Sequence, residues 1–232
     1  MKYTFTEYAK NAMRESEPQI EVFNVFGDEY DRWFEEKGKV IFENELLLFK
    51  TINHYIRHPS IEIGSGSGRF AKELKVDFAI EPSRKLRKIS IKRGIIPIAA
   101  RGEDIPFDDG VFKTVFIIVT LCFSRKPELI LKESARILQE DGNLILGLVL
   151  KDSIWGRLYE KKKREGHRFY SVANFYTLYE IEKMLESAGL EIHDIYSTLT
   201  MPPERLNDIQ KPVRGYIKDA GFVGIVARKI RG

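Results

Sequence analysis

The feature that most constrains the chain is a short apolar strand, Ser60-Ile61-Glu62-Ile63, that runs directly into the turn Gly64-Ser65-Gly66-Ser67-Gly68. Glycines at alternate positions let the backbone turn tightly from strand to helix and let a ligand approach the main chain. Alone, such a triplet specifies only a compact turn, but the segments around it repeat the same alternation. Arg69 to Lys75 suits a short helix and Val76 to Ile80 a second strand; Ser83 caps a helix through Leu86 and Ile89 that stops at Gly94. Ile95 to Ala100 reads as a third strand, and Phe112 to Thr120 as a fourth, apolar on both faces as a central parallel strand is. Pro127 opens a helix carrying Ile130, Leu131, Ile137 and Leu138, and Asp141-Gly142 turns into a fifth strand, Asn143 to Leu150. Thr177-Leu178-Tyr179-Glu180 is a capping box for a helix ending at Ala188-Gly189, with Leu190 to Thr200 and Phe222 to Ile230 as two closing strands. The alternation predicts an α/β fold, a doubly wound and mostly parallel seven-stranded sheet.

Three segments stand outside that rhythm. Lys39 to Ile56 reads as an amphipathic helix, with Ile41, Glu45, Leu48, Ile52 and Tyr55 on one stripe. Residues 1–38 read as irregular, and residues 151–176 as a basic, aromatic insertion. An insertion after the fifth strand falls near the carboxyl edge of the sheet, where such folds bind ligands, so both segments are expected to form a lid. The expectation is one domain over residues 1–232, with a core at 39–150 and a closing helix and strands at 177–232. Composition narrows the class further. Hydrophobic residues at 43% and charged residues at 31% exclude a disordered chain, and a formal charge of +4 does not by itself imply nucleic acid. A single cysteine, Cys122, excludes an internal disulfide and a cysteine-rich metal site, and no metal is expected. The start of the chain lacks the apolar segment of a signal peptide, and the longest apolar run, Val115 to Val119, is too short for a membrane-spanning helix. A cytoplasmic protein with no membrane partner is the expectation.

The residues around the turn narrow the ligand. A nicotinamide-type fingerprint places its third glycine where this chain has Arg69, so the triplet is of another kind. Glu62, two residues before Gly64 and inside the strand, is costly to bury unless paired, and a ligand's amino group is one natural partner. Glu81 ends the second strand and follows Gly64 at close to the spacing of about 20 residues usual in such folds, where a carboxylate can accept from both hydroxyls of a ribose.

These residues resemble the class I S-adenosylmethionine-dependent methyltransferases, and closely the subgroup called methyltransferase type 11, which includes quinone-biosynthesis enzymes. The likeness spans roughly residues 28–150. Glu62, Gly64, Ser65, Gly66 and Gly68 match the family's first motif, and Glu81, followed by Pro82 and Ser83, matches its ribose-binding acid. Gly102-Glu103-Asp104-Ile105-Pro106-Phe107-Asp108-Asp109 is similar to the family's adenine-cradling segment, and Val119-Thr120-Leu121 to the residues that pass under the methionine. Arg136 to Leu144 is similar to the family's Arg-Val-Leu-Lys-Pro-Gly-Gly segment, and Tyr30-Asp31-Arg32-Trp33 looks like its cofactor-covering start. Arg101 stands where the family often has an aspartate, which shifts adenine recognition to Glu103, Asp104 and main-chain groups. The resemblance implies S-adenosylmethionine as cofactor, with these residues, Tyr30 and Trp33 included, around it.

Methyl transfer from a sulfonium is an in-line displacement in which alignment does most of the work. A base is needed only for a hydroxyl or ammonium acceptor. His167 and Tyr170, in the expected lid, are the candidates, against the plainer reading that the lid aromatics pack onto the sheet. Cys122 follows Leu121 rather than a proline, which argues for packing over nucleophilic chemistry. The acceptor is expected to be a small molecule. The run Lys161-Lys162-Lys163-Arg164 leaves RNA or protein as the alternative, and a non-catalytic cofactor-binding protein as a third.

Overall fold

The computed structural model describes residues 17–230, so the part of the expected lid within residues 1–16 lies outside the described residues. Among the described residues a seven-stranded sheet runs β2-β1-β3-β4-β7-β5-β6. Its strands are β1 (Ser60–Ile63), β2 (Phe78–Ile80), β3 (Phe112–Ile118), β4 (Leu138–Leu148), β5 (Leu190–Thr198), β6 (Val213–Arg214) and β7 (Phe222–Lys229). The half built from β2, β1, β3 and β4 is parallel, and β7, β5 and β6 add to it antiparallel. The doubly wound α/β fold expected from the alternation is the fold observed. The reason is visible in β3, where Val115 and Ile117 face one core layer with Ile130 and Leu131, while Phe116 and Ile118 face the other with Phe49 and Phe222. Only a strand covered by helices on both sides can bury a continuous apolar run, at about 1.5–3 kcal/mol per large side chain.

The helices are α1 (Pro18–Trp33), α2 (Lys39–Thr51), α3 (Arg69–Glu73), α4 (Arg84–Lys92), α5 (Pro127–Ile137), α6 (Ile154–Arg164) and α7 (Leu178–Ser187). Ser83 Oγ accepts from the Leu86 N–H at 3.2 Å, and Thr177 and Glu180 form the full capping box, as their sequences require. Three expectations are corrected. Residues 1–38, expected to be irregular, contain the helix α1. The expected strand Ile95–Ala100 shrinks to one parallel bridge, Ile98 to Ile80, because Pro97 has no N–H to give a ladder. The seventh strand is instead the two-residue edge strand β6. The long amphipathic helix also ends at Thr51, with a separate 3-10 turn at Asn53–Tyr55.

Helix α1 is fastened by polar contacts as well as by rings, Phe23 packing edge-on against Phe123 at 4.9 Å. Ser83 Oγ donates to Asn24 Oδ1 at 2.9 Å, and Lys85 pairs with Asp28. Asp31 accepts from Arg69 Nε at 2.8 Å and from Arg93 at 2.9 Å, and Arg93 also donates to the Ser67 carbonyl. Burial opposes the charged form of Asp31, yet the hydrogen bonds from Arg69 and Arg93 hold its carboxyl below its ordinary range. One carboxylate thus ties α1 to the start of α3, the end of α4 and the glycine turn.

Candidate functional site

The carboxyl edge of β1 opens onto a cleft because the turn after it folds the way its glycines allow. Gly64, Gly66 and Gly68 all have positive φ, and the N–H groups of Gly64 and Ser65 both donate to the Ile80 carbonyl at 3.0 Å. At Gly64 (φ +69) a Cβ would stand 2.3 Å from Thr120 Cγ2. Thr120 is held there by donating Oγ1 to the Gly64 carbonyl at 3.1 Å and to that of Ile118 at 3.0 Å. Glu81 closes the other side, accepting from the Gly66 N–H at 2.8 Å and from the Ser83 N–H at 2.7 Å. Burial pushes its carboxyl up to about 7, against those two donors.

The cleft is lined by Tyr30, Gly64, Gly66, Glu81, Pro82, Gly102, Glu103 and Thr120 among the residues singled out from sequence. The others sit elsewhere. Glu62, Ser65 and Ser83 are buried behind the turn, Gly68 packs against Ser90, and Ile105 and Leu121 lie in the core. Asp104 is exposed and bridges to Arg101, outside the cleft, and Trp33 lines a second cavity. Sequence reasoning missed Gln19, Ile20 and Phe23 on α1, and Phe123 and Ser124; Arg101, read there as a departure from the family's aspartate, also lines the cleft. Arg101 is occupied: it pairs with Glu17 at 2.7 Å and lies 3.6 Å from Glu103, whose other oxygen accepts from Ser124 Oγ at 2.8 Å.

The donor set suits a nucleoside with a cationic tail. Gln19 Oε1, Glu62 Oε2 and Ser65 Oγ are buried without a partner among the described residues, and Gln19 lines the cleft. Such orphans cost free energy until a ligand or water satisfies them. Burial, then the neighbouring Glu81, raise the Glu62 carboxyl well above its ordinary range, so it is held protonated behind the turn.

Beyond the cleft lies a cavity of about 550 Å³, walled by aromatic side chains of α1, α6 and residues 167–176. Tyr30, Val119 and Phe123 line both spaces. Val119, a β-branched residue, has φ +49, a strained backbone held by its N–H to the Gly147 carbonyl at 2.8 Å. Tyr159 and Tyr170 stack at 4.4 Å, and Asn174 N–H donates to the Cys122 carbonyl at 2.7 Å. His167 lies at the cavity's exposed edge; partial burial, then Lys162 and Arg168, lower its pKa. Burial pushes the Tyr170 phenol well above its ordinary range and the Cys122 thiol up to about 12.

Comparison with known proteins places this architecture. The family model described as "Methyltransferase domain" matches residues 61–146. An uncharacterized protein of Methanocaldococcus jannaschii is 34% identical over 211 residues, covering 91% of this chain and 100% of that protein. An uncharacterized protein of Mycobacterium tuberculosis is 34% identical over 200 residues, covering 85% of this chain and 70% of that one. The crystal structure of a Thermotoga maritima protein, described as a "SAM-dependent methyltransferase, possible histamine N-methyltransferase", superposes with a TM-score of 0.85 at 34% identity, covering 91% of this chain and 100% of that one. By that likeness over nearly its whole length, the chain belongs to the S-adenosylmethionine-dependent methyltransferases and is an enzyme that uses S-adenosylmethionine as its cofactor.

Proposed function

We propose that the enzyme methylates a small molecule held in the aromatic cavity, with the donor in the glycine-turn cleft. The observation that carries this reading is the shared boundary: Tyr30, Val119 and Phe123 belong to both spaces, so two ligands can meet across them. The main chain at Gly64 and Gly66 and the carboxylate of Glu81 hold the nucleoside. Each Glu81 oxygen already accepts one backbone N–H and keeps lone-pair capacity for a ribose hydroxyl. Gly102, Glu103 and Arg101 border the adenine side. Glu62, Ser65, Gly68 and Ser83 support the turn from behind, and Trp33 belongs to the acceptor side.

S-adenosylmethionine supplies a methyl group already activated on a sulfonium. The chain's own work is alignment and exclusion of water, and alignment alone can account for about 7–11 kcal/mol of the barrier. The aromatic walls and helix α1 serve that purpose, which gives α1 and residues 151–176 the role of a lid on one domain. Of the two side chains considered as bases, Tyr170 is poorly suited because burial keeps its proton on. His167, neutral at pH 7, is able to accept one from an acceptor near the cavity edge.

A macromolecular acceptor is disfavoured by where the basic residues point their charge. Lys163 donates to Asn174 Oδ1 at 3.0 Å, Arg157 pairs with Asp219 at 3.0 Å, and Arg168 pairs with Glu29 at 2.6 Å. The acceptor claim is tested with labelled S-adenosylmethionine and a panel of amines, phenols and thiols. Label is expected in one of these classes and not in bulk RNA or protein. Steep, salt-dependent binding to RNA would transfer the reading to a nucleic-acid substrate.

A further inference from the structure

Glu45 lines the acceptor cavity from a helix face whose other buried residues are mostly apolar. It shares the buried face of α2 with Leu46, Leu48 and Phe49, is 6% exposed, and lines the cavity beside Tyr30 and Tyr159. The structure shows no hydrogen bond and no ion pair to it among the described residues. Burial, with no donor to offset it, pushes its carboxyl up to about 8. Tyr30, Tyr159 and Tyr170 are close enough to feel its charge, yet none is hydrogen-bonded to it. A buried carboxylate held this way is expensive, so Glu45 keeps its proton in the empty cavity and gives it up to solvent when a ligand brings the missing cation.

The surrounding walls have the complementary property. Lys162 Nζ stands 5.8 Å over the rings of both Tyr159 and Tyr170, so these walls already hold one cation, and the remaining rings of the cavity, Tyr30, Trp33 and Phe169 among them, offer the same kind of surface to a second. Aromatic faces and a desolvated carboxylate together select positive charge and repel a phenolate, a thiolate or a carboxylate. We propose that the cavity takes an acceptor bearing a protonated aliphatic amine, with the Glu45 carboxylate as its counter-ion and the aromatic walls as its cation-binding faces. This rests on the reading of the cavity as the acceptor site, and it names the acceptor's class.

The test compares a matched pair of probes, 2-phenylethylamine and the neutral 2-phenylethanol, by calorimetry on the full chain saturated with S-adenosylhomocysteine. The wild type is expected to bind the amine roughly 10- to 100-fold more tightly than the alcohol, the scale of one charge-assisted hydrogen bond in an enclosed site. In Glu45→Gln that preference is expected to vanish while affinity for the alcohol stays unchanged, and Glu45→Asp should retain part of it. Equal binding of the two probes to the wild type, no binding of the amine, or a preference that survives in Glu45→Gln would overturn the assignment. The wild-type comparison stands even if a variant does not fold. A wild type that fails to take up S-adenosylhomocysteine would instead remove the methyltransferase reading of the site, and this inference with it.

Discussion

Replacing Asp31 with Asn should loosen helix α1 without unfolding the sheet. The carboxylate is 14% exposed and receives hydrogen bonds from Arg69 and Arg93, themselves 14% and 17% exposed. Removing one partner from a fully buried pair costs about 3–5 kcal/mol. Here Arg69 keeps a second carboxylate, Glu35 at 2.8 Å, and the asparagine retains an acceptor oxygen, so about 2–3 kcal/mol is the scale. Helix α1 packs onto α4 by further contacts of its own, chiefly Asn24 on Ser83 and Gly27 on Lys85 and Leu86, so the loss appears as local opening. Hydrogen exchange of amides in α1 should accelerate roughly 30- to 150-fold, while amides of β3 and β4 keep their wild-type rates. Unchanged exchange in α1 would refute the view of Asp31 as its fastening. Equal acceleration in the sheet would refute the view that the fastening is local.

Three further outcomes follow from the same geometry. Gly64→Ala forces φ +69 on an alanine and puts its Cβ 2.3 Å from Thr120 Cγ2. It should cost about 2–4 kcal/mol in urea unfolding, and wild-type stability would show that Thr120 yields freely. Cys122, whose thiol burial pushes up to about 12 from 9.0, should react with iodoacetamide at pH 8 about a thousandfold more slowly than a free thiol; rapid alkylation in the native protein would contradict its enclosure. Glu45 keeps its proton in the folded chain up to about 8, but releases it near 4.5 when unfolded, so the folded state binds more protons between those values. Stability should therefore fall as pH rises from about 5 to about 8, and less steeply in Glu45→Gln; an identical slope in the variant would place the titration elsewhere.

What the sequence made legible was whatever hydrophobic periodicity and glycine spacing encode. β1, β3 and the turn between Gly64 and Gly68 needed no tertiary knowledge, because a doubly covered strand and a left-handed turn each demand a residue pattern of their own. Helix α1 escaped because its docking residues, Asn24, Asp28 and Asp31, are polar, and their partners Ser83, Lys85, Arg69 and Arg93 lie roughly 40 to 60 residues away. The strand expected at Ile95–Ala100 failed for a reason present in the sequence, Pro97, whose missing N–H leaves Ile98 to bridge alone. Of the cleft residues contributed by α1, Tyr30 was reached through the family resemblance, while Gln19, Ile20 and Phe23 were hidden with α1 itself. Glu45 had a visible signal, an acid on the apolar stripe of an amphipathic helix, but the cavity it faces exists only once residues 151–176 fold across from it.

The most direct measurement is calorimetric titration of S-adenosylhomocysteine into the wild type and Glu81→Ala. A single site in the wild type, lost in the variant while its circular dichroism stays native, is the outcome expected if the acid at the tip of β2 grips the ribose. Equal affinity in the two proteins would contradict it.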